Sequence, residues 1–141
     1  MKIKEDELAV FAQDFLKNLK SGDDATVVGL SGDLGSGKTT FVQAVGKILG
    51  VKEPIQSPTF VLVKNYKLLT TNYKLLIHID AYRLETGSDI EKLGFNELLN
   101  DSANLIFIEW PERIASAMPP NVQKIYFTFV DQTTREIEIQ G

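Results

Sequence analysis

The amino-acid sequence predicts an α/β fold in which helices flank a mixed β-sheet. Three observations carry this prediction. A glycine-rich loop connects an apolar, β-branched run to an amphipathic helix, and further short apolar runs intermingle with helical stretches along the chain. The chain has 141 residues, which suits one domain with its own core. We therefore expect residues 1–141 to form a single domain.

The glycine-rich loop carries the strongest functional signal. Residues 32–40, "GDLGSGKTT", fit the pattern G-x-x-x-x-G-K-[ST], whose backbone N–H groups surround phosphate. The run "TVVGL" precedes the loop as a buried strand, and a helix predicted to stop at Gly50 follows it. This context predicts a P-loop NTPase fold. The nucleotide-binding residues predicted within the loop are Asp33, Leu34, Gly35, Ser36, Gly37, Lys38, Thr39 and Thr40.

Two side chains of the loop have chemical roles in this interpretation. Lys38 can reach the β- and γ-phosphates of a nucleotide, and the Thr39 hydroxyl can ligate Mg²⁺. The N-terminus of the following helix adds a dipole that favours an anion. The loop alone does not distinguish kinases, switches, motors and transporters.

Two acidic residues end apolar strands. "LLIHID" ends at Asp80, and "LIFIE" ends at Glu109. A P-loop hydrolase needs a carboxylate at the carboxyl end of a neighbouring strand, where it holds Mg²⁺ or its water. We expect Glu109 near Thr39 if its strand neighbours the loop strand, and Asp80 is then the candidate for positioning the attacking water. The two roles can be exchanged, so the predicted catalytic set is Asp80, Glu109 and Lys38.

Three other residues invite a functional and a structural interpretation. Thr59, in "QSPTF", can sense a γ-phosphate, although the residue types alone favour a Ser-Pro turn. His78 is the single histidine and is interpreted as a hydrogen-bonded structural residue on the strand face of Asp80. Trp110 is interpreted as a packing residue.

The remaining elements follow from periodicity and turn residues. A helix is predicted over the first twenty residues. Hairpins are predicted from "TFVLVKNYKL" with "NYKLLIHID", and from "VQKIYFTFV" with "REIEIQ". A helix over "SDIEKLGFNELLND" is expected to be capped by Ser88 or Asp89, and a short helix is expected to start at Pro111.

Composition narrows the possible partners. The net charge is −4 and no lysine- or arginine-rich run occurs, which argues against a large nucleic-acid footprint. The absence of cysteine excludes disulfides. No apolar stretch approaches membrane-spanning length, and the N-terminus lacks the apolar core of a signal peptide. We expect a cytoplasmic protein without a membrane partner.

Two function classes remain open at this point. A small-molecule kinase closes an arginine-bearing lid over its phosphates, and this chain has three arginines without an obvious lid insertion. A guanine-specific switch would carry an Asn-Lys-x-Asp run, and the sequence has none. A minimal ATPase that serves a protein partner is favoured. A small-molecule kinase with an unrecognised acceptor stays as the alternative.

Four ordered motifs resemble one known family over nearly the whole chain. They are "GDLGSGKTT", "SPTF", "HIDAYRL" and "IEW", and they look like the TsaE family, also called YjeE. The resemblance implies an ATPase of bacterial tRNA threonylcarbamoyladenosine synthesis. Its partners would be the proteins TsaD and TsaB, which modify an adenosine beside the anticodon, and it would meet tRNA only through that complex. It would not itself transfer the threonylcarbamoyl group.

The resemblance also implies cofactors and residue roles. ATP or ADP and Mg²⁺ would bind, with the metal held through Thr39 and Glu109. Asp80 and Thr59 would lie near the γ-phosphate, and Arg135 in "TTREIEI" would lie near the nucleotide. Hydrolysis by the isolated protein would be slow and would depend on the partner proteins.

Overall fold

The computed structural model describes residues 1–33, 35–55, 63–69 and 72–140. The strands are β1 Lys2–Lys4, β2 Thr26–Gly32, β3 Val63–Lys67, β4 Leu75–Asp80, β5 Asn104–Glu109, β6 Gln123–Asp131 and β7 Thr134–Gln140. The helices are α1 Leu8–Asn18, α2 Lys38–Ile48, α3 Gly87–Glu91 and α4 Phe95–Leu99, with 3₁₀ segments at Glu5–Glu7 and Pro111–Ala117. In these ranges no helix is long and apolar enough to cross a membrane.

One mixed sheet organises the chain and confirms the predicted α/β class. Its strand order is β1-β7-β6-β2-β5-β4-β3. The pairs β2–β5, β2–β6 and β4–β5 are parallel, whereas β3, β7 and β1 join antiparallel. Helices cover both faces of β2, β4 and β5, and these three strands are buried almost continuously rather than in alternation.

The strand register brings the two predicted carboxylates to the loop. Leu30 of β2 is the partner of Glu109 in β5, and Glu109 is in turn the partner of Asp80 in β4. The condition that the Glu109 strand neighbours the loop strand is therefore met. Both acids lie at the carboxyl edge of the sheet, where ligands bind in open α/β folds.

An aromatic cluster fixes α2 against the sheet. The Phe41 side chain is fully buried. Its ring centroid lies 5.8 Å from those of Phe11 and Phe15 in α1, 6.1 Å from Phe107 in β5 and 5.7 Å from Phe127 in β6. Because Phe41 lies in the first turn of α2, this cluster also positions the end of the glycine-rich loop.

The prediction of one helix over the first twenty residues is wrong at its beginning. Residues Lys2–Lys4 form a strand that pairs with β7, and the α-helix starts only at Leu8. The Ile137 N–H donates to the Met1 carbonyl at 2.8 Å, and Ile3 is 5% exposed. The free edge of β7 supplies backbone partners that helical periodicity does not reveal.

The helix predicted over "SDIEKLGFNELLND" is also divided. Gly94 adopts φ 85° between α3 and α4, a left-handed conformation that ends the first helix. The cap of α3 is Thr86, in a capping box with Asp89, and is neither Ser88 nor Asp89. In that box the Asp89 carboxylate accepts a hydrogen bond from the backbone N–H of Thr86. Asp89 therefore takes part in the capping without being the cap residue.

The two predicted hairpins are antiparallel pairs in the structure. β3 pairs with β4, and β6 pairs with β7. The beginning of the first hairpin, residues 59–62, lies outside the described residues. The helix predicted from Pro111 starts there, but it is a 3₁₀ segment with a kink at Ile114.

The aromatic cluster predicts a stability difference between two phenylalanines. Replacing the buried Phe41 by alanine should lower the free energy of unfolding by about 3–5 kcal/mol, because a ring is lost from a packed core. The control is Phe129→Ala, since the Phe129 side chain is 55% exposed and should change stability by about 0.5 kcal/mol or less. Urea unfolding of both variants measures this, and equal losses would contradict the account.

Candidate nucleotide-binding site

The local geometry explains two glycines of the loop, Gly32 and Gly37. Gly32 and Gly37 have φ values of 144° and 106°, in the range that favours glycine. A Cβ on Gly32 would lie 2.3 Å from the Phe127 carbonyl oxygen, and one on Gly37 would lie 2.1 Å from Nε of Arg135. At Gly32 the backbone of β6 leaves no room for a Cβ. At Gly37 the neighbour is a flexible side chain, and the positive φ is what favours glycine.

A cavity of about 230 Å³ lies above the loop. Its lining consists of Gly35, Gly37, Lys38, Thr39, Thr40, Asp80, Glu109, Trp110 and Arg135. Every member except Trp110 is a residue that the sequence predicts for the site. The volume is below the ~300–1,000 Å³ of common small-molecule pockets, and it suits phosphate groups rather than a whole nucleotide.

The other predicted site residues lie around or beyond this cavity. Asp33 is exposed and its carbonyl accepts the Ser36 N–H at 3.1 Å, while Ser36 is fully buried. Leu34 and Thr59 lie outside the described residues. A larger cavity of about 680 Å³ is lined by α1 and the β1–β7 edge, and it contains none of the predicted site residues.

Lys38 is held tightly at the base of the cavity. It is 4% exposed, and its ammonium group donates to the Gly32 carbonyl. Burial lowers the Lys38 pKa, and the charges of Glu109 and Glu112 oppose that shift. The Nζ atom also lies 3.6 Å from the centroid of the Trp110 ring. A cation held in this way presents a fixed positive charge to the cavity.

Glu109 joins the loop helix to the neighbouring strand. Its Oε2 atom accepts a hydrogen bond from the Thr39 hydroxyl at 2.8 Å. The same oxygen lies 2.5 Å from Nε2 of His78, which is fully buried. His78 is therefore the hydrogen-bonded residue that the sequence suggested, and its partner is a predicted catalytic carboxylate. The pair fixes Glu109 beside the hydroxyl expected to ligate a metal.

Asp80 occupies a less polar environment than a surface carboxylate. It is partly buried, and its Oδ1 accepts the Tyr82 N–H at 3.0 Å. Burial is the largest cause that raises the Asp80 pKa, and the nearby charge of Glu109 adds to it; the Tyr82 hydrogen bond, His78 and Lys38 act in the opposite direction. A carboxylate with a raised pKa is a better proton acceptor than an ordinary aspartate.

Two buried polar atoms at the site fit an anionic ligand. Oγ of Ser36 and Nε of Arg135 have no hydrogen-bond partner in the part of the chain that the structure describes. A buried donor left without a partner costs about 1–3 kcal/mol. Both atoms lie at the glycine-rich loop, and phosphate oxygens would provide the missing acceptors. The residues present therefore fit a bound phosphate chain.

A glycine-rich turn between a parallel strand and a helix, with a lysine, a threonine and a neighbouring strand-end carboxylate, defines a P-loop nucleotide-binding protein. The family model for "Threonylcarbamoyl adenosine biosynthesis protein TsaE" matches residues 3–137. The chain belongs to the TsaE family. The fold and the family together indicate a nucleotide hydrolase.

Individual relatives agree with this assignment. The chain is 39% identical over 137 residues to a Rickettsia typhi protein named "tRNA threonylcarbamoyladenosine biosynthesis protein TsaE", a match that covers 96% of this chain and 90% of the relative. A Nostoc protein of the same name is 40% identical over 119 residues, 81% of this chain and 69% of the relative. The crystal structure of Bacillus subtilis YdiB superposes with a TM-score of 0.73 at 25% identity, covering 97% and 82% of the two chains.

Trp110 is the lining residue that sequence reasoning missed. Its position directly after Glu109 was a signal, because a residue that follows a strand-end carboxylate lies at the same edge of the sheet. The packing interpretation of Trp110 is therefore incomplete. Its ring packs on Tyr82, with centroids 5.0 Å apart, and it also covers the ammonium of Lys38.

The raised pKa of Asp80 predicts a pH-dependent stability effect. Asp80→Asn should raise the melting temperature by a few degrees near pH 8, because folding then no longer desolvates a charged carboxylate. The folded protein holds the Asp80 proton more tightly than the unfolded chain does. Stability therefore rises as pH falls through the window between the ordinary value of 3.8 and the raised folded value. The advantage of asparagine should shrink through that window and vanish below it.

Asp89→Asn is the matched control with the opposite sign. Hydrogen bonds from the backbone of Glu85 and Thr86 lower the Asp89 pKa below 3.8. Removing that carboxylate should destabilise the protein at neutral pH, and the difference should disappear as the pH falls through 3.8 toward the lowered value. Thermal unfolding across this pH range, without nucleotide, measures both differences. An Asp80→Asn advantage that grows on acidification would contradict the assignment.

Proposed function

We propose that this chain is the ATP-binding and ATP-hydrolysing component of the machinery that forms threonylcarbamoyladenosine in tRNA. It supports the proteins TsaB and TsaD and does not itself transfer the threonylcarbamoyl group. Membership of the TsaE family and the names of the relatives support the pathway. They give no support to the alternative of a small-molecule kinase. The observation that carries the proposal is the 2.8 Å hydrogen bond between Thr39 and Glu109 inside the phosphate-sized cavity.

The loop residues would bind the phosphate chain of ATP or ADP. The proposed contacts are the backbone and side chains of residues 33–40, with Lys38 on the β- and γ-phosphates. Arg135 supports this through its position, since its Nε lies against Gly37. Thr39 and Glu109 would hold Mg²⁺. Bound there, the metal supplies positive charge to the β- and γ-phosphate oxygens.

Hydrolysis would depend on two carboxylates with different environments. Glu109 is fixed by His78 and Thr39, which suits a residue that must hold one geometry. Asp80 is one strand further from the loop and has a raised pKa. It would orient the attacking water and accept its proton, and Thr59 would sense the γ-phosphate. We assign the metal to Glu109 and the water to Asp80 on these differences.

The partners of the proposed ATPase are proteins rather than RNA. The chain has a net charge of −4 and no basic run, so its sequence offers no contiguous group of cations of the kind that binds phosphate backbones. Contact with tRNA would be indirect, through TsaB and TsaD, in the cytoplasm. We expect hydrolysis by the isolated chain to be slow, because in this role a partner completes or releases the active state.

The metal and phosphate roles are tested by three variants. Lys38→Ala should abolish useful ATP binding, because it removes the charge that faces the β- and γ-phosphates. Glu109→Gln should lower hydrolysis by about 100-fold or more while ADP still binds through the loop amides. Glu97→Gln, on the exposed surface of α4, is the control and should match the unaltered protein. Calorimetry measures binding and phosphate release measures turnover. Normal turnover by Glu109→Gln would remove Glu109 from the site.

The partner role predicts an affinity that depends on the bound nucleotide. A ligand shifts a conformational equilibrium only if it binds the two states differently. The affinity for a TsaB–TsaD assembly should therefore differ between ATP, ADP and no nucleotide, and Thr59→Ala should reduce that difference. Ser102→Ala, at an exposed position before β5, is the control. Binding is measured by interferometry with tRNA alone as a further arm. Equal partner affinity with ATP, with ADP and without nucleotide would contradict the proposal. Tight binding of tRNA by the isolated chain would also contradict it.

A further inference from the structure

Trp110 has an unusual backbone conformation. Its φ of 61° and ψ of 50° are left-handed, and among the described residues it is the one non-glycine with a positive φ. This conformation is unfavourable for an L-residue with a side chain, because Cβ approaches the following carbonyl oxygen. The Trp110 N–H donates to the Leu30 carbonyl at 3.1 Å, and its own carbonyl accepts the Arg113 N–H at 3.1 Å. Strain that the surrounding structure retains in this way clusters at functional sites.

The side chain of this strained residue covers the loop lysine. The Lys38 ammonium lies 3.6 Å from the centroid of the indole ring and also donates to the Gly32 carbonyl. Tyr82 packs on the indole at 5.0 Å and an interplanar angle of 53°, which limits the movement of the ring. Lys38 and Trp110 both line the phosphate-sized cavity. An anion in the cavity can therefore reach the Lys38 ammonium while that ammonium remains in contact with the indole ring.

We infer that the π face of Trp110 is a positioning element that holds the Lys38 ammonium ready for the β- and γ-phosphates. This inference rests on the proposed function. A lysine side chain loses rotamer entropy when it is fixed. A desolvated cation–π contact with tryptophan is favourable by a comparable amount, so the ring can offset that cost before the nucleotide arrives.

A packing role and a positioning role make different demands on the indole. Packing depends on the shape and volume of the ring, whereas the cation–π contact depends on the electron density of its face. Fluorine atoms on the ring withdraw electron density with little change in volume. The chain contains a single tryptophan, so fluorinated tryptophan supplied during expression alters Trp110 alone.

The experiment compares proteins that carry tryptophan and its mono-, di- and trifluorinated forms. We expect the dissociation constant for Mg-ATP to rise with each fluorine, by about 3- to 10-fold over the series, because the ring holds the cation less well. The melting temperatures should stay within a few degrees of one another. A constant or falling dissociation constant across the series would overturn the inference. Failure of the unaltered protein to bind Mg-ATP would instead overturn the proposed function.

A pair of substitutions provides a second readout. Trp110→Phe keeps an aromatic face, and Trp110→Leu keeps only apolar volume. Binding of Mg-ATP should weaken by about 3-fold for phenylalanine and by about 10-fold or more for leucine. Both proteins are compared at equal folded fraction, measured by circular dichroism. Equal losses for the two variants would assign Trp110 to packing alone.

Discussion

The hydrogen bond from Thr39 to Glu109 is the contact on which the rest of the site depends. It joins the first turn of α2 to the end of β5 at 2.8 Å, and it exists because β2 and β5 are adjacent and parallel. His78 approaches the same carboxylate oxygen from β4. Two neighbouring strands, β4 and β5, and the loop helix α2 thus meet at one carboxylate, and a shift of α2 or β5 would separate the hydroxyl from its partner.

The hydrophobic core supports that contact from below. Phe41 lies in the first turn of α2, and its ring contacts side chains of α1, β5 and β6. The helix that presents Lys38 and Thr39 is therefore fixed by apolar packing close to their own positions. Close-packed protein interiors change conformation in discrete steps rather than by continuous deformation. A site placed directly above such a cluster keeps its geometry.

Burial sets the electrostatics of the cavity. It lowers the Lys38 pKa and raises that of Asp80, since both groups lose water around their charged forms. Among the described residues, Oγ of Ser36 and Nε of Arg135 have no hydrogen-bond partner, and they add donors at the same loop. The cavity thus combines poorly solvated donors with a carboxylate of raised pKa, a combination that suits an anionic ligand and the hydrolysis proposed above.

The parts of the site that lie in contiguous residues were predictable from the sequence. Gly32, Gly37 and Lys38 belong to one contiguous motif whose loop conformation is known. Asp80 and Glu109 follow apolar runs that predict strands. The left-handed backbone of Trp110 was not predictable, because the Trp110 N–H donates to the carbonyl of Leu30, which lies in another strand.

The N-terminal strand and the cap of α3 escaped prediction for a related reason. β1 exists because β7 offers a free edge, and this pairing overrides the helical periodicity of the first residues. Thr86, Ser88 and Asp89 are all residue types that cap helices, so the sequence did not single out one of them. In the structure the capping box between Thr86 and Asp89 places the cap at Thr86.

The most direct measurement is a crystal structure of the protein with ADP and Mn²⁺, in which anomalous scattering locates the metal. We expect the manganese peak at ligand distance from the Thr39 hydroxyl, with Glu109 directed at the metal or its water. The β-phosphate should lie on the N–H groups of residues 35–38 and beside Lys38. A manganese peak away from Thr39, or a β-phosphate outside the glycine-rich loop, would contradict the site.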